Sequence, residues 1–409
     1  MSDNTLSSLN EAFKYVQDSK LKNLTSNFAI IQDLVPMKEN DKLGRKFLMP
    51  VALTFELGFT VGDGTVYALN DAVAAVYDEI EVDPTPVSLR TRVSQSAANR
   101  WKDSKKAVIN NVALRAGQMK KSLQKFAEIE ILHGRTGIAT LTGVSDDASG
   151  TCVCTVSDAT WASGIFAGMV GAKLDAYTST TKQNSTGDLT ISAVDHDAKT
   201  VTVTGANADT AAIDANSVLY FKGAYGAGQH GIKTQLDNAS TLFGIDASSY
   251  DLWKAVEHSV SGALTMPQIL KGQAKCVNRG GLDEDVILFL SPTNFEGLNA
   301  DLSALVDMDP KVSKGEIGFS SITYKGQAGK IHIVSHPYMM DGDAFSIPKS
   351  CMRRVGATDI DFMQDEGGRY WRSLDVSGYA GYQCTGHYEF QVIITEPAKC
   401  CFYKSITPA

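Results

Sequence analysis

The chain has 409 residues, 43% apolar and 21% charged, with a net charge of −8 at neutral pH. That length passes the roughly 250–300 residues at which single cores split, so at least two domains are expected. The acidic balance, with no basic run longer than two adjacent residues, excludes a protein that wraps nucleic acid through a basic face, and no window nears the ~18 unbroken apolar residues of a membrane helix.

The N-terminal stretch MSDNTLSSLNEAFKYVQDSK is polar and holds no apolar signal core, so no export route is expected. Residues 1–46 read as an extended arm with one helix. In it Leu9, Phe13, Val16 and Leu24 fall near helical spacing behind a Ser8–Glu11 capping box. Such an arm buries little of its own surface and needs something to lie against.

Residues 47–103 change character. FLMPVALTFELGFTVGDGTVYAL reads as strand, with Phe55, Phe59 and Tyr67 around the turn Gly62-Asp63-Gly64. VYDEIEVDPTPVSLRTRVSQSAANRW returns in extended form, because residues before Pro84 and Pro86 are biased away from helix. Isolated hairpins are marginal in water, so an excursion of this length predicts a partner surface, from a neighbouring copy. The turn is not a phosphate loop, since no Lys-Ser/Thr pair follows it.

SKKAVINNVALRAGQMKKSLQKFAEIEILH, residues 104–133, predicts one helix of roughly 45 Å. Ser104 is its candidate cap and Gly134 its stop. Residues 138–230 then turn rich in Thr, Ala, Ser and Gly, with no arginine or glutamate, and predict a small, mostly β insertion. DLTISAVDHDAKTVTVTGANAD alternates about a turn at 195–199, with His196 between Asp195 and Asp197.

From 231 to 350, SYDLWKAVEHSV and LTMPQILKGQAKCVNRGG are expected as helices, the second capped by Thr265 with Pro267 in its first turn. DEDVILFLSP is expected as a buried strand, NFEGLNADLSALV as a helix, and SSITYKGQAGKIHIVSHPY as a hairpin. Residues 351–409 alternate as strands, the last ending at Ile406.

Catalytic chemistry has few places to reside. HExxH, GxSxG and the Walker pattern are all missing. GKIHIVSHPYMMDGDAFSIP puts His332 and His336 four apart, with Asp341 and Asp343 downstream. That set suits a metal-dependent hydrolase only if the turn folds back. Ile331, Ile333 and Val334 around the histidines favour an ordinary core strand instead. Cys384 and His387, three apart in a strand, fall on opposite faces, against a nucleophile pair. The seven cysteines form no CxxC unit, so buried free thiols in a reducing compartment are expected, not a zinc ribbon. No cofactor or metal is expected, and no enzyme.

Arm, excursion, long helix, insertion and closing strands, in that order, resemble the major capsid proteins of tailed bacteriophages, of the Hong Kong 97-type α+β fold. FELGFTVGDGTVYALNDAV looks like the family's E-loop, and 104–137 like its spine helix in the peripheral domain. GALTMPQILKGQAKCVNRGGLDEDVILFLSPTNFEGL resembles the stretch entering the axial domain, here mainly 231–350. GKIHIVSHPYMMDGDAFSIP is similar to the family's Pro-Tyr, Asp-Gly hairpin. EPAKCCFYKSI resembles its closing strand, within peripheral and axial strands at 351–409. The insertion at 138–230 is outside the common pattern.

The resemblance implies a virion protein, assembled in the bacterial host cytoplasm. Its copies would form hexamers and pentamers of an icosahedral shell enclosing double-stranded DNA without sequence-specific binding. It implies a portal, a separate scaffold protein, since only about fifty residues precede the excursion, and room for a decoration protein. No covalent cross-linking pair stands out. Candidate subunit contacts are Phe13 in the arm and Phe55, Phe59, Asp63, Tyr67, Arg90, Arg92 and Trp101 in the E-loop region. Three other readings compete: an encapsulin-like compartment shell, the hydrolase built on His332, His336 and Asp341, and a carbohydrate-binding module at 138–230 using Trp161, Tyr220 and Phe221.

Overall fold

Val286–Leu290, five apolar residues in a row, can be buried on both faces only inside a sheet, and all five are buried. In the computed structural model this strand lies within a six-stranded mixed sheet. The order is Val256–Gly262, Cys401–Ile406, Ala344–Pro348, Val286–Leu290, Lys330–Ser335 and Ile322–Lys325. Val286–Leu290 runs parallel to Lys330–Ser335 and antiparallel to Ala344–Pro348. The structure describes residues 29–38, 46–64, 66–94, 111–239, 241–300, 322–364, 368, 370–373 and 381–407. The expected arm helix with Phe13, the start of the long helix at Ser104, and Trp101 lie outside the described residues.

The helix Met266–Gly280 covers this sheet with Met266, Ile269, Gly272, Gln273 and Cys276, one face at helical spacing. Pro267 sits in its first turn and Gly281 ends it in the left-handed region, at φ 63°. Thr265 holds the cap position, but its side chain makes no capping bond; its carbonyl accepts the amides of Gln268 and Ile269. At Gly272 a Cβ would stand 2.5 Å from the ring and hydroxyl of Tyr403. That buried hydroxyl donates to the Ile269 carbonyl at 2.8 Å. Gly272→Val is therefore expected to cost about 3 kcal/mol by overpacking, read as a lowered urea midpoint. An unchanged midpoint would mean that helix and sheet are not packed this closely.

SYDLWKAVEHSV corrects the sequence expectation. Only Asp251–Trp253 forms a helical turn, and Val256–Gly262 is a strand parallel to Cys401–Ile406. Its burial alternates, with Val256, His258 and Val260 inward. The period of two in VEHSV prevailed because the closing strand supplies the pairing edge.

The segment expected as a mostly β insertion holds an antiparallel sheet that closes on itself. From Val218–Phe221 the order runs Ala139–Asp146, Thr151–Val156, Thr200–Thr204, Leu189–Asp195 and Lys173–Thr178. The last of these pairs back onto Val218–Phe221. Alternate residues, including Leu141, Cys152, Cys154, Leu174, Ile191, Val201, Val203 and Leu219, are buried. Backbone bonds from Asp341 to the Trp161 carbonyl (3.1 Å) and from Gly342 to the Ala159 carbonyl (2.7 Å) tie this barrel to the turn after Lys330–Ser335.

The chain divides into two units. The larger comprises 28–87, 124–361 and 387–409, and holds the six-stranded sheet and the barrel. Among the described residues, the smaller comprises 88–94, 111–123 and those within 362–386. In the smaller unit, Arg372 and Ser373 pair antiparallel with Gln383 and Tyr382, and Arg92 Nε donates to Gln383 Oε1 at 3.2 Å. Leu123, on the first part of the helix Asn111–Leu132, packs against Gly386.

Candidate interaction surface

The excursion begins as a regular ladder. Phe47–Ala52 pairs antiparallel with Tyr77–Val82, Phe47 opposite Val82 and Ala52 opposite Tyr77. Its base is anchored, since Leu53, Ile80 and Val82 are buried in a cluster with Leu242, Phe243, Ile245, Trp253, Val355 and Ile393. Past Leu53 the ladder thins to one bridge, Leu57 with Val73. Side chains then hold the backbone: Thr54 Oγ1 accepts from Val76 N and Thr60 Oγ1 from Asn70 N, both at 2.8 Å, and Asn70 Nδ2 donates to the Phe59 carbonyl at 2.7 Å. The Tyr67 ring covers Gly62.

The far part leaves its apolar side chains in solvent. Phe55 is 75% exposed, Phe59 79% and Val66 fully. Among the described residues, eleven of the fourteen exposed large apolar or aromatic side chains fall between Leu48 and Tyr77. The remaining three, Val153, Val170 and Tyr370, are scattered, so this is one patch and not ordinary surface. Charge is equally segregated: residues 47–89 carry seven carboxylates and no lysine or arginine.

A cleft of about 910 Å³ lies in the same unit. Leu34, Val35, Pro36, Met49, Val51 and Met352 give it apolar walls, and Lys38, Lys349 and Arg353 stand along them. Arg353 stacks over the Phe47 ring at 4.9 Å, so the base of the excursion helps to shape the cleft.

One wall rests on a buried polar clamp. Glu128, on the helix Asn111–Leu132, is fully buried, yet both its oxygens are bonded. Oε1 accepts from Ile31 N at 2.6 Å and from His336 Nε2 at 3.1 Å. Oε2 accepts from Gln32 Nε2 at 2.9 Å and Gln32 N at 3.3 Å. Tyr338 N donates to His336 Nδ1 at 3.2 Å, which leaves the imidazole proton on Nε2, facing the carboxylate. The segment 30–34, entering the cleft wall, is thereby fastened to the helix. Nearby, burial pushes the Glu130 carboxyl up to about 7 and the His133 imidazole down to about 3.

The suggested metal ligands do not converge. Both ring nitrogens of His336 are occupied by the clamp. His332, four residues earlier, meets Thr323 Oγ1 at 3.3 Å and Asp285 at 4.0 Å. Asp343 pairs with Lys233 at 2.6 Å. Asp341 bonds Ser291 and Thr293, and burial raises its pKa. No group of three or more His, Cys, Asp or Glu among the described residues can hold a metal ion. Each residue is claimed by a different neighbour, which corrects the hydrolase reading. His196 Nδ1 meets Ser163 Oγ at 2.9 Å, beside the Trp161 ring. Cys384 is buried and His387 lies on the other strand face, as their spacing implies.

The carbohydrate-module reading is corrected too. Trp161, Tyr220 and Phe221 are buried, with Trp161 stacked on Phe166 and Phe221 against Phe126. They supply core, not a stacking platform. Among the candidate contacts, Phe55, Phe59, Asp63 and Tyr67 sit together on the excursion. Arg90 and Arg92 lie on Pro86–Ser94, a strand whose partner is Gly381–Ile394. Leu57, Val61, Val66, Leu69 and Val73 are exposed in the same stretch as Phe55 and Phe59, which is apolar and free of basic residues.

No protein-family model matches the sequence, and no curated protein matches it. Solved structures do resemble the fold. The capsid asymmetric unit of Cyanophage A-1(L) matches with a TM-score of 0.58 at 10% identity, over 99% of this chain and 100% of that one. The capsid of a native GTA particle matches with a TM-score of 0.52 at 8% identity, over the whole of both chains. The chain therefore has the mixed α/β fold of those capsid subunits.

Proposed function

We propose that this chain is the major capsid protein of a tailed bacteriophage, a non-enzymatic building block whose copies close into an icosahedral shell around double-stranded DNA. The observation that carries this is the excursion: a firmly anchored hairpin with an apolar, acidic outer part, on a fold shared with capsid subunits. An apolar surface that cannot bury itself gains stability only against another copy. A contact from the excursion of one copy to the cleft of the next is heterologous, and such contacts close into rings when the rotation permits. On this reading 47–103 is the E-loop region, 104–137 the spine of the peripheral domain, and 231–350 mainly the axial domain. Phe55, Phe59, Asp63 and Tyr67 are subunit contacts. A separate scaffold and a portal belong to the same reading, with the virion as the final location.

Negative-stain electron microscopy and sedimentation of the purified chain, with and without a scaffold, test the whole proposal. Rings or closed shells support it, and a compact monomer under every condition sinks it. The charge pattern allows a finer test. Lys38→Glu with Lys349→Glu, both exposed on the cleft wall, is expected to raise the concentration needed for assembly by about tenfold or more. Adding Glu56→Lys and Asp71→Lys on the same chain should recover part of the loss, because the complementary signs are restored. Unaltered assembly by the doubly reversed cleft would remove the cleft from the contact.

A further inference from the structure

The cleft beside the base of the excursion has a fourth cation at its floor. Arg354 lines it and is only 4% exposed. Its guanidinium stands over the Phe390 ring at 3.8 Å, and Nη2 is paired with Asp359. Nε is buried and makes no hydrogen bond among the described residues. Burying a charged group's donor without an acceptor is costly. The edge of this arginine is thus a donor turned to the cleft floor with its bonding capacity unspent.

The walls repeat the sign. Lys38, Lys349 and Arg353 also line the cleft, against one carboxylate, Glu396, which Lys399 holds at 2.7 Å. In a chain of net charge −8 this is a local excess of positive charge that draws anions. Two smaller clefts differ. One, of about 510 Å³, sets Asp158 and Asp197 against Lys199. In the other, of about 540 Å³, the cations are already engaged: Lys404 bridges Asp237 and Glu257 at 3.0 and 2.6 Å, and Arg279 donates to the Lys254 carbonyl.

We propose that the 910 Å³ cleft binds an organic phosphate monoester, with the dianionic head on Arg354 and the apolar body against Leu34, Val35, Met49, Val51 and Met352. A guanidinium fork matches two phosphate oxygens. Four cations to one paired carboxylate suit two negative charges better than one. The volume lies within the roughly 300–1,000 Å³ of small-molecule sites, which likewise combine apolar walls with a few placed polar groups. A bare oxyanion would leave those walls in water. Binding does not depend on the assembly reading. Its consequence rests on that reading: a phosphate on these cations competes with the acidic excursion of a neighbouring copy.

The test titrates phenyl phosphate into the full chain at low ionic strength and follows the heat. Inorganic phosphate, benzoate and benzyl alcohol are titrated alongside. The expected result is one phenyl phosphate per chain, bound about tenfold or more tighter than inorganic phosphate, because the ring is buried. Benzoate should bind more weakly than phenyl phosphate, benzyl alcohol not at all, and added salt should weaken the binding. Arg354→Lys keeps the charge and loses the fork, and should weaken binding about tenfold. Because Arg354 also packs on Phe390, each variant is melted in parallel. Lys38→Gln and Lys349→Gln, both exposed, should melt normally and together weaken binding by about threefold or more. No binding by the wild-type chain, benzoate or benzyl alcohol bound as tightly as phenyl phosphate, or unchanged affinity in the double lysine variant would each overturn the proposal. Shells formed by a chain that binds no phenyl phosphate would sink the site alone. A chain that binds it but never assembles would sink the assembly reading alone.

Discussion

Replacing Phe55 and Phe59 together with aspartate is expected to leave the chain folded and to abolish its self-association. Both rings are more than 70% exposed, so neither contributes to a core. Exposed substitutions of this kind usually stay within about 0.5 kcal/mol of wild-type stability. In a contact between copies each phenyl ring gains about 1.5–3 kcal/mol on burial. The double variant loses that and adds two carboxylates to a hairpin already rich in them. A loss of about 4 kcal/mol or more per contact weakens each contact by roughly a thousandfold, and a closed ring multiplies the effect. Sedimentation velocity across a concentration series, beside a thermal melt, separates the two terms. Normal melting with only monomer is the expected pair of results. Rings or shells at wild-type concentration would show that the excursion is not the contact.

Glu128→Ala should produce the largest change in the stability of the single chain. The carboxylate accepts from two backbone amides, one side-chain amide and one imidazole, all in a site without solvent. Removing it orphans buried donors and leaves a void against His336. The expected cost is about 3–5 kcal/mol. Glu128→Gln keeps the shape and one good acceptor but turns an NH₂ group toward donors, so it should fall between alanine and wild type. Chemical denaturation measures both. A loss under about 1 kcal/mol for alanine would mean that segment 30–34 is not fastened through this residue. The substitution should also weaken assembly, since Leu34 and Val35 form part of the cleft wall.

Local signals carried much of the fold. Val286–Leu290 announces itself by an unbroken apolar run, and Met266–Gly280 by its proline start and glycine stop. The turn at 195–199 is legible because alternation flanks it on both sides. VEHSV was read as helix because alternation over five residues is a weak cue without knowledge of the pairing strand, which lies far along the chain. Barrel closure was hidden for the same reason: nothing in Val218–Phe221 names Lys173–Thr178 as its partner. The exposed apolar excursion was half legible. Phe55, Phe59 and Tyr67 stand out as aromatics around a glycine turn, whereas the clamp depends on Glu128 meeting His336, 208 residues away. A buried glutamate in a helical stripe looks like any surface glutamate until the fold places it.

Barrel closure also bears on synthesis. Until Val218–Phe221 leaves the ribosome, the nascent sheet begun at Ala139 has two open edges, one on Ala139–Asp146 and one on Lys173–Thr178. At ordinary elongation rates the interval from Thr178 to Phe221 lasts roughly 2–9 seconds. Open edges recruit strands from other chains, and many ribosomes translating one message hold such chains close together. The final strand seals both edges at once, so the hazard ends in a single step. Strand-breaking substitutions at Leu219 or Tyr220 should thus be felt first in the yield of soluble chain, before any property of the finished fold.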